Sequence, residues 1–180
     1  MTAEIHTLPG DVQLRVLQAG DAERMAAAYR LNREHLAPWE PARAEAFFTA
    51  EAQSAIIESK LALLSAGSEI PWVLLEHGHV IGAVTLTGIV RGPFLNANVG
   101  YWVGKDFGGR GIGSAALAIA LEVARHDLGL HRVQAATLTH NAASQTILKR
   151  AGFVEIGFAP EYLKIAGTWQ DHELYQRILY

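Results

Sequence analysis

The stretch Phe107-Gly108-Gly109-Arg110-Gly111-Ile112-Gly113-Ser114 constrains this chain more than any other. It follows a β-prone run, Asn98-Val99-Gly100-Tyr101-Trp102-Val103, and opens a helix-forming run that continues through His126. A strand, a glycine-rich turn and a helix N-terminus in that order form a structure for holding phosphate. The first N–H groups of a helix have no internal acceptor, and the positive end of the helix dipole points the same way. Glycine has no Cβ, so its backbone approaches an anion closely. A dinucleotide-binding G-x-G-x-x-G turn would follow the first strand and be trailed by an acid about 20 residues on. Here Gly109-Arg110-Gly111-Ile112-Gly113 comes late in the chain, and no Gly-Lys-Ser/Thr closes it as a nucleotide-phosphate loop requires. The turn therefore matches neither fingerprint, and on this segment alone a glycine-rich left-handed turn without a ligand stays open beside a phosphate site of another kind.

The periodicity around this turn predicts one mixed α/β sheet. Val12–Leu17 alternates as a strand, and Asp21 is placed to cap a helix running to about Arg33. Pro38 and Pro41 interrupt it. A second helix is expected between Ala42 and Ala66, in one or two pieces, burying Phe47, Phe48, Ile56 and Leu63. Trp72–Glu76 and Val80–Leu86 read as a hairpin turning at Gly78. Strands follow at Asn96–Val103, Arg132–Leu138, Phe153–Phe158 and Thr168–Leu179, with a short helix over Ala142–Ala151 stopped by Gly152. The expectation is a single domain over residues 1–180, with roughly seven strands and about four helices.

Composition narrows the function. A formal net charge of -3 and the lack of a basic stripe argue against nucleic-acid binding. The chain has no cysteine, which removes disulfides, thiolate metal sites and a cysteine nucleophile, and fits a cytoplasmic setting. No apolar run reaches the length of a membrane span, and the first 20 residues lack the core of a signal peptide.

A second motif, Asn141-Ala142-Ala143-Ser144 through Gly152-Phe153, places Asn141 at the head of the short helix. With the glycine turn and the element order, the chain from Leu14 to Leu179 resembles the GCN5-related N-acetyltransferases (GNAT). The resemblance implies acetyl-CoA as co-substrate, in a site built from about residues 99–150. Its pyrophosphate would lie on Gly108, Gly109, Arg110, Gly111, Gly113 and Ser114. Its pantetheine would lie along Tyr101, Trp102 and Val103, beside Asn141 and Ser144. A backbone N–H near Trp102 or Val103 would polarise the thioester carbonyl. Two departures stand out. Gly108 occupies a position where the family usually has Gln or Arg. Leu148 occupies the place of a tyrosine that in many relatives protonates the leaving thiolate.

Finer details resemble the RimJ/RimL branch, which acetylates ribosomal-protein N-termini. These are Asn32-Arg33-Glu34-His35-Leu36-Ala37-Pro38-Trp39, Gly100-Tyr101-Trp102, Glu161-Tyr162-Leu163 and Trp169-Gln170-Asp171-His172. By that resemblance Glu161 is the expected base and Ser144 the expected acid. A protein N-terminus, a ribosomal protein among the candidates, is the expected acceptor. A small amine such as an antibiotic, polyamine or amino acid, and a non-catalytic acyl-CoA-binding role, stay open at this level. A homodimer is the default assembly for such an enzyme. His35 is a lesser candidate for the acceptor groove and His140 for contact with CoA. His172 is expected mainly to pack or hydrogen-bond. His77-Gly78-His79 reads as a polar hairpin tip rather than a metal pair.

Overall fold

The computed structural model describes residues 4–180. Strands β1 (His6–Leu8) and β2 (Val12–Val16) lead into helix α1 (Ala22–Leu31) and a single turn, α2 (Arg33–Leu36). Helix α3 (Ala50–Ser65) precedes β3 (Ile70–Glu76), β4 (His79–Val90) and β5 (Asn96–Val103). Then come α4 (Ile112–Glu122), β6 (Arg132–Leu138), α5 (Ala142–Arg150), β7 (Val154–Ile165) and β8 (Thr168–Ile178). The eight strands form one sheet in the order β1-β2-β3-β4-β5-β6-β8-β7. Every neighbouring pair is antiparallel except β5 and β6.

The sheet buries both faces at its centre. In β3, Trp72 and Leu74 point into one core with Ile112, Ala116, Leu117, Ala120 and Leu148 of α4 and α5. Their neighbours Val73 and Leu75 point into a second core with Met25 and Ala28 of α1 and Ile57 of α3. The period-two alternation of a strand thus divides the helices between the two faces.

The seven predicted strands are all present, and the sheet gains an eighth, β1, on its edge. Three residues paired as His6↔Leu14 to Leu8↔Val12 are too short to show a period. Helix α3 begins only at Ala50, where the Thr49 hydroxyl accepts from the Ala52 N–H at 3.2 Å. Its buried positions are Gln53 and Ile57, while Leu63 is exposed and Ile56 half-buried, so the expected face is rotated.

Asp21 stands at the head of α1, but its carboxylate does not cap the helix. It takes both guanidinium nitrogens of Arg15, at 2.8 and 2.7 Å, the Gln18 N–H at 2.9 Å and Arg24 at 3.2 Å. Burial alone would push this carboxyl up. The Arg15 hydrogen bonds, the Gln18 N–H and the nearby positive charge outweigh it and hold the pKa below the ordinary aspartate value. A depressed native pKa adds stability above the unfolded-state value, and that stability is lost as pH falls through the native one. Asp21→Asn should lower the unfolding free energy at pH 7 by about 2–4 kcal/mol, because it strands a buried guanidinium. In urea melts, the gap between wild type and variant should shrink as pH drops below about 4. A gap constant with pH would contradict the assignment.

Candidate active site

The parallel pair is short. β5 and β6 are in register only from Asn96↔Arg132 to Asn98↔Gln134. Beyond that point β5 stays on β4 as far as Gly82↔Val103, and β6 stays on β8 as far as Leu138↔His172. The two strands therefore part, each presenting an unpaired edge to a cavity of about 190 Å³. Val99 to Trp102 line one side and Ala135 to Leu138 the other. Thr137 lies in this wall with a buried hydroxyl that has no protein partner. Polar groups left this way in an interior are normally satisfied by something.

The glycine turn closes one end of the parting strands. Gly109 and Gly111 have φ of 75° and 77°, a left-handed conformation costly for other residues, and a Cβ on either would meet open space. Their need for glycine is conformational, and the space before them is free. Gly111 is the N-cap of α4. Among the described residues, none of the N–H groups from Gly109 to Ser114 donates to a protein acceptor. The Arg110 side chain is drawn back onto Glu76 at 2.6 Å and over the Phe107 ring, which leaves its own N–H in the row. Asn32, buried at the end of α1, fastens the approach to this turn. Its amide donates to the Ala28 carbonyl at 2.9 Å, and its oxygen accepts from the Lys105 N–H at 2.9 Å. This arrangement is also why the predicted first helix breaks at Asn32. His35 donates through Nε2 to the Val103 carbonyl at 3.2 Å and so steadies the end of β5.

At the head of α5, Asn141 caps as expected, accepting from the Ser144 N–H at 3.1 Å. The Ser144 hydroxyl lies 2.9 Å from the Tyr101 hydroxyl. Burial raises the Tyr101 pKa, with the Ser144 bond working against it, so the phenol is protonated at neutral pH. Leu148 is fully buried in the core, yet a phenol still reaches Ser144, from β5 instead of α5.

The structure brings Tyr101, Trp102, Asn141 and Ser144 to one cavity. Val103 and the glycine turn continue β5 beyond it. Glu161 lies elsewhere. It is exposed, at φ 46°, in the irregular pairing of β7 with β8 between Ala159 and Leu163, and its N–H donates to the Asp171 carboxylate at 2.8 Å. Its neighbour Tyr162 lines a larger groove of about 560 Å³. The groove shares Gly100 to Trp102, Ala135, Ala136, Leu163 and Glu40 with the first cavity. His140 packs against Trp39, the rings tilted by 36° with centroids 5.5 Å apart. His172, 3% exposed, also faces the first cavity, with Nδ1 donating to the Gln170 carbonyl at 2.9 Å.

Sequence reasoning passed over Glu40. Its one visible signal was a carboxylate set between Trp39 and Pro41.

Residues 11–154 match the family profile described as "Acetyltransferase (GNAT) domain". The chain is 32% identical over 163 residues to the [Ribosomal protein uS5]-alanine N-acetyltransferase of Escherichia coli (strain K12), covering 89% of this chain and 84% of that protein. The crystal structure of ribosomal-protein-S5-alanine acetyltransferase from Vibrio fischeri superposes with a TM-score of 0.91 at 33% identity, covering 99% of this chain and 96% of that one. Mycobacterium smegmatis RimJ in complex with CoA-disulfide gives 0.91 at 29% identity, covering 97% and 86%. This chain belongs to the GNAT family. It is an N-acetyltransferase that uses acetyl-CoA, and it is homologous to the RimJ/RimL ribosomal-protein acetyltransferases.

The row of N–H groups, the bare strand edge and the cavity fit an extended acyl-CoA with its pyrophosphate on the turn. Gly111→Glu puts a carboxylate into that row and should weaken acetyl-CoA binding at least about 100-fold by titration calorimetry. Gly111→Ala adds only backbone strain, about 1–2 kcal/mol, and should keep most of the affinity. Equal affinity in wild type and Gly111→Glu would contradict the assignment.

Proposed function

We propose that this chain acetylates the α-amine of a protein N-terminus. The observation that carries this reading is the groove of about 560 Å³, which runs into the cavity between β5 and β6. Its size, about three times that of the inner cavity, suits the end of a peptide chain. The relatives named for acetylating the alanine of a ribosomal protein support the same reading, and a ribosomal protein is the acceptor class they suggest.

In this reading Gly109, Arg110, Gly111, Gly113 and Ser114 hold the pyrophosphate with backbone N–H groups, while Gly108, expected among them, spends its N–H on the Lys105 carbonyl at 3.4 Å. The free edge of Tyr101, Trp102 and Val103 pairs with the pantetheine like an added strand. A backbone N–H near Trp102 or Val103 polarises the carbonyl under attack. Acetyl-CoA supplies an activated acyl thioester. The sequence has no cysteine to carry the acetyl group, so the amine attacks directly. Ser144, positioned by Asn141 and hydrogen-bonded to Tyr101, donates to the departing sulfur. Glu161, on the exposed rim beside Tyr162, takes up the amine's proton through water.

Mass spectrometry of acetyl-CoA reactions tests the acceptor. Peptides with free Ala, Ser, Thr or Met N-termini are offered together with polyamines and aminoglycosides. Acetyl groups on peptide α-amines are expected, and acetylation of the small amines alone would overturn the reading. Glu161→Gln should lower kcat/KM mainly below about pH 8 and recover as the amine loses its own proton. A loss independent of pH would remove the base assignment.

A further inference from the structure

Glu40 stands where three cavities meet. It lines the cavity between β5 and β6, the larger groove, and an apolar cleft of about 300 Å³ beside Phe47 and Phe48. No other aspartate or glutamate lines any of the three. Its place is fixed from outside its own loop, because its backbone carbonyl accepts from the Ala166 N–H at 2.9 Å, at the turn joining β7 to β8. The side chain is only 20% exposed, and its ion-pair partner Arg43 stands 3.7 Å away, beyond hydrogen-bond length. The Arg43 guanidinium is drawn over the Phe47 ring, 4.3 Å from its centroid. Glu40 is thus a largely buried carboxylate with an incomplete counter-charge, and such a group is costly until a cation completes it. Burial raises its pKa, with Arg43 working against the rise. Tyr29, beside it, is pushed up to about 12 by burial and by the Glu40 charge, so this phenol stays neutral and supplies no second anion.

The surroundings suit a cation as well. Tyr29, Trp102 and Tyr162 line the groove with Glu40, and Trp39 lines the inner cavity, so aromatic side chains share these walls with the carboxylate. Aromatic faces attract an ammonium group. The inner cavity has no lysine or arginine in its wall. An α-amine has a pKa near 8 and arrives at neutral pH mostly as ammonium, with three N–H donors.

We infer that Glu40 receives the acceptor's ammonium group where the groove joins the inner cavity, and that it sets the preference of this site for a cationic amine over a neutral nucleophile. The inference rests on the acceptor being an amine and holds for a peptide or a small molecule alike. Its role differs from that of Glu161, which lies on the solvent-exposed rim and contacts the amine only through water.

The test compares ligands that differ only in charge. A heptapeptide beginning with alanine is set against the same peptide beginning with lactate, in which a hydroxyl replaces the ammonium. Alaninamide and lactamide form a second pair. Binding is measured by calorimetry on the full chain saturated with CoA. Wild type should prefer the ammonium member of a pair by at least about tenfold, as expected for a hydrogen-bonded charge in a poorly solvated site. Glu40→Gln should bring the two members within about twofold by weakening the ammonium ligand alone, with acetyl-CoA affinity as the control for folding. Arg43→Met removes the competing guanidinium and should widen the preference. A preference unchanged in Glu40→Gln, or absent in wild type, overturns the inference. A Glu40-dependent preference for alaninamide, with no acetylation of any peptide, upholds Glu40 and removes the protein N-terminus as acceptor.

Discussion

The site depends on a pairing that stops. β5 and β6 are the one parallel pair in the sheet, and they hold register only to Asn98↔Gln134. Each is then held by an antiparallel neighbour on its far side, β4 for one and β8 for the other. Neither strand unravels when they part, so both keep a rigid, unpaired edge. Backbone groups on such an edge require partners. In the proposed reading, a pantetheine arm with amides along its length would supply them and carry its pyrophosphate to the row of free N–H groups at the start of α4. The proposed acyl-CoA site thus rests on the separation of two strands and the φ values of two glycines.

The remainder of the site is fastened to this opening from elements distant in sequence. Asn32 ties the end of α1 to Lys105, and His35 ties α2 to Val103, so the first helices hold the outer end of β5. Tyr101 and Ser144 meet across the opening from β5 and α5. The turn between β7 and β8 meets the loop carrying Glu40 through Ala166. Few formal charges are involved. The inner cavity is walled by backbone, hydroxyl groups and apolar side chains, with Glu40 as its acid. Poor solvation of this kind makes each remaining polar contact count for more.

Much of this was legible in the sequence because it is local. The glycine turn is visible since φ values of 75° and 77° demand glycine, and Asn141 is visible since a cap lies next to what it caps. The alternation in β2 is legible from a period of two. What escaped depends on contacts between distant segments. The tie from Asn32 to the Lys105 N–H, 73 residues on, is recorded by no propensity. Asp21 was read as a cap, but Arg15 on β2 claims its carboxylate. Glu40 acquires its character from burial beneath the β7–β8 turn. Leu148 was legible as a departure from the family's tyrosine, but the Tyr101 phenol that meets Ser144 across the opening was not.

Amide hydrogen exchange on adding acetyl-CoA tests the central claim directly. The account predicts new protection in two blocks, the β5 edge from Val99 to Val103 and the N–H row from Gly109 to Ser114, while the β3–β4 hairpin at His77 and Gly78 is unchanged. Protection confined to segments outside those two blocks, with acetyl-CoA bound, would contradict it.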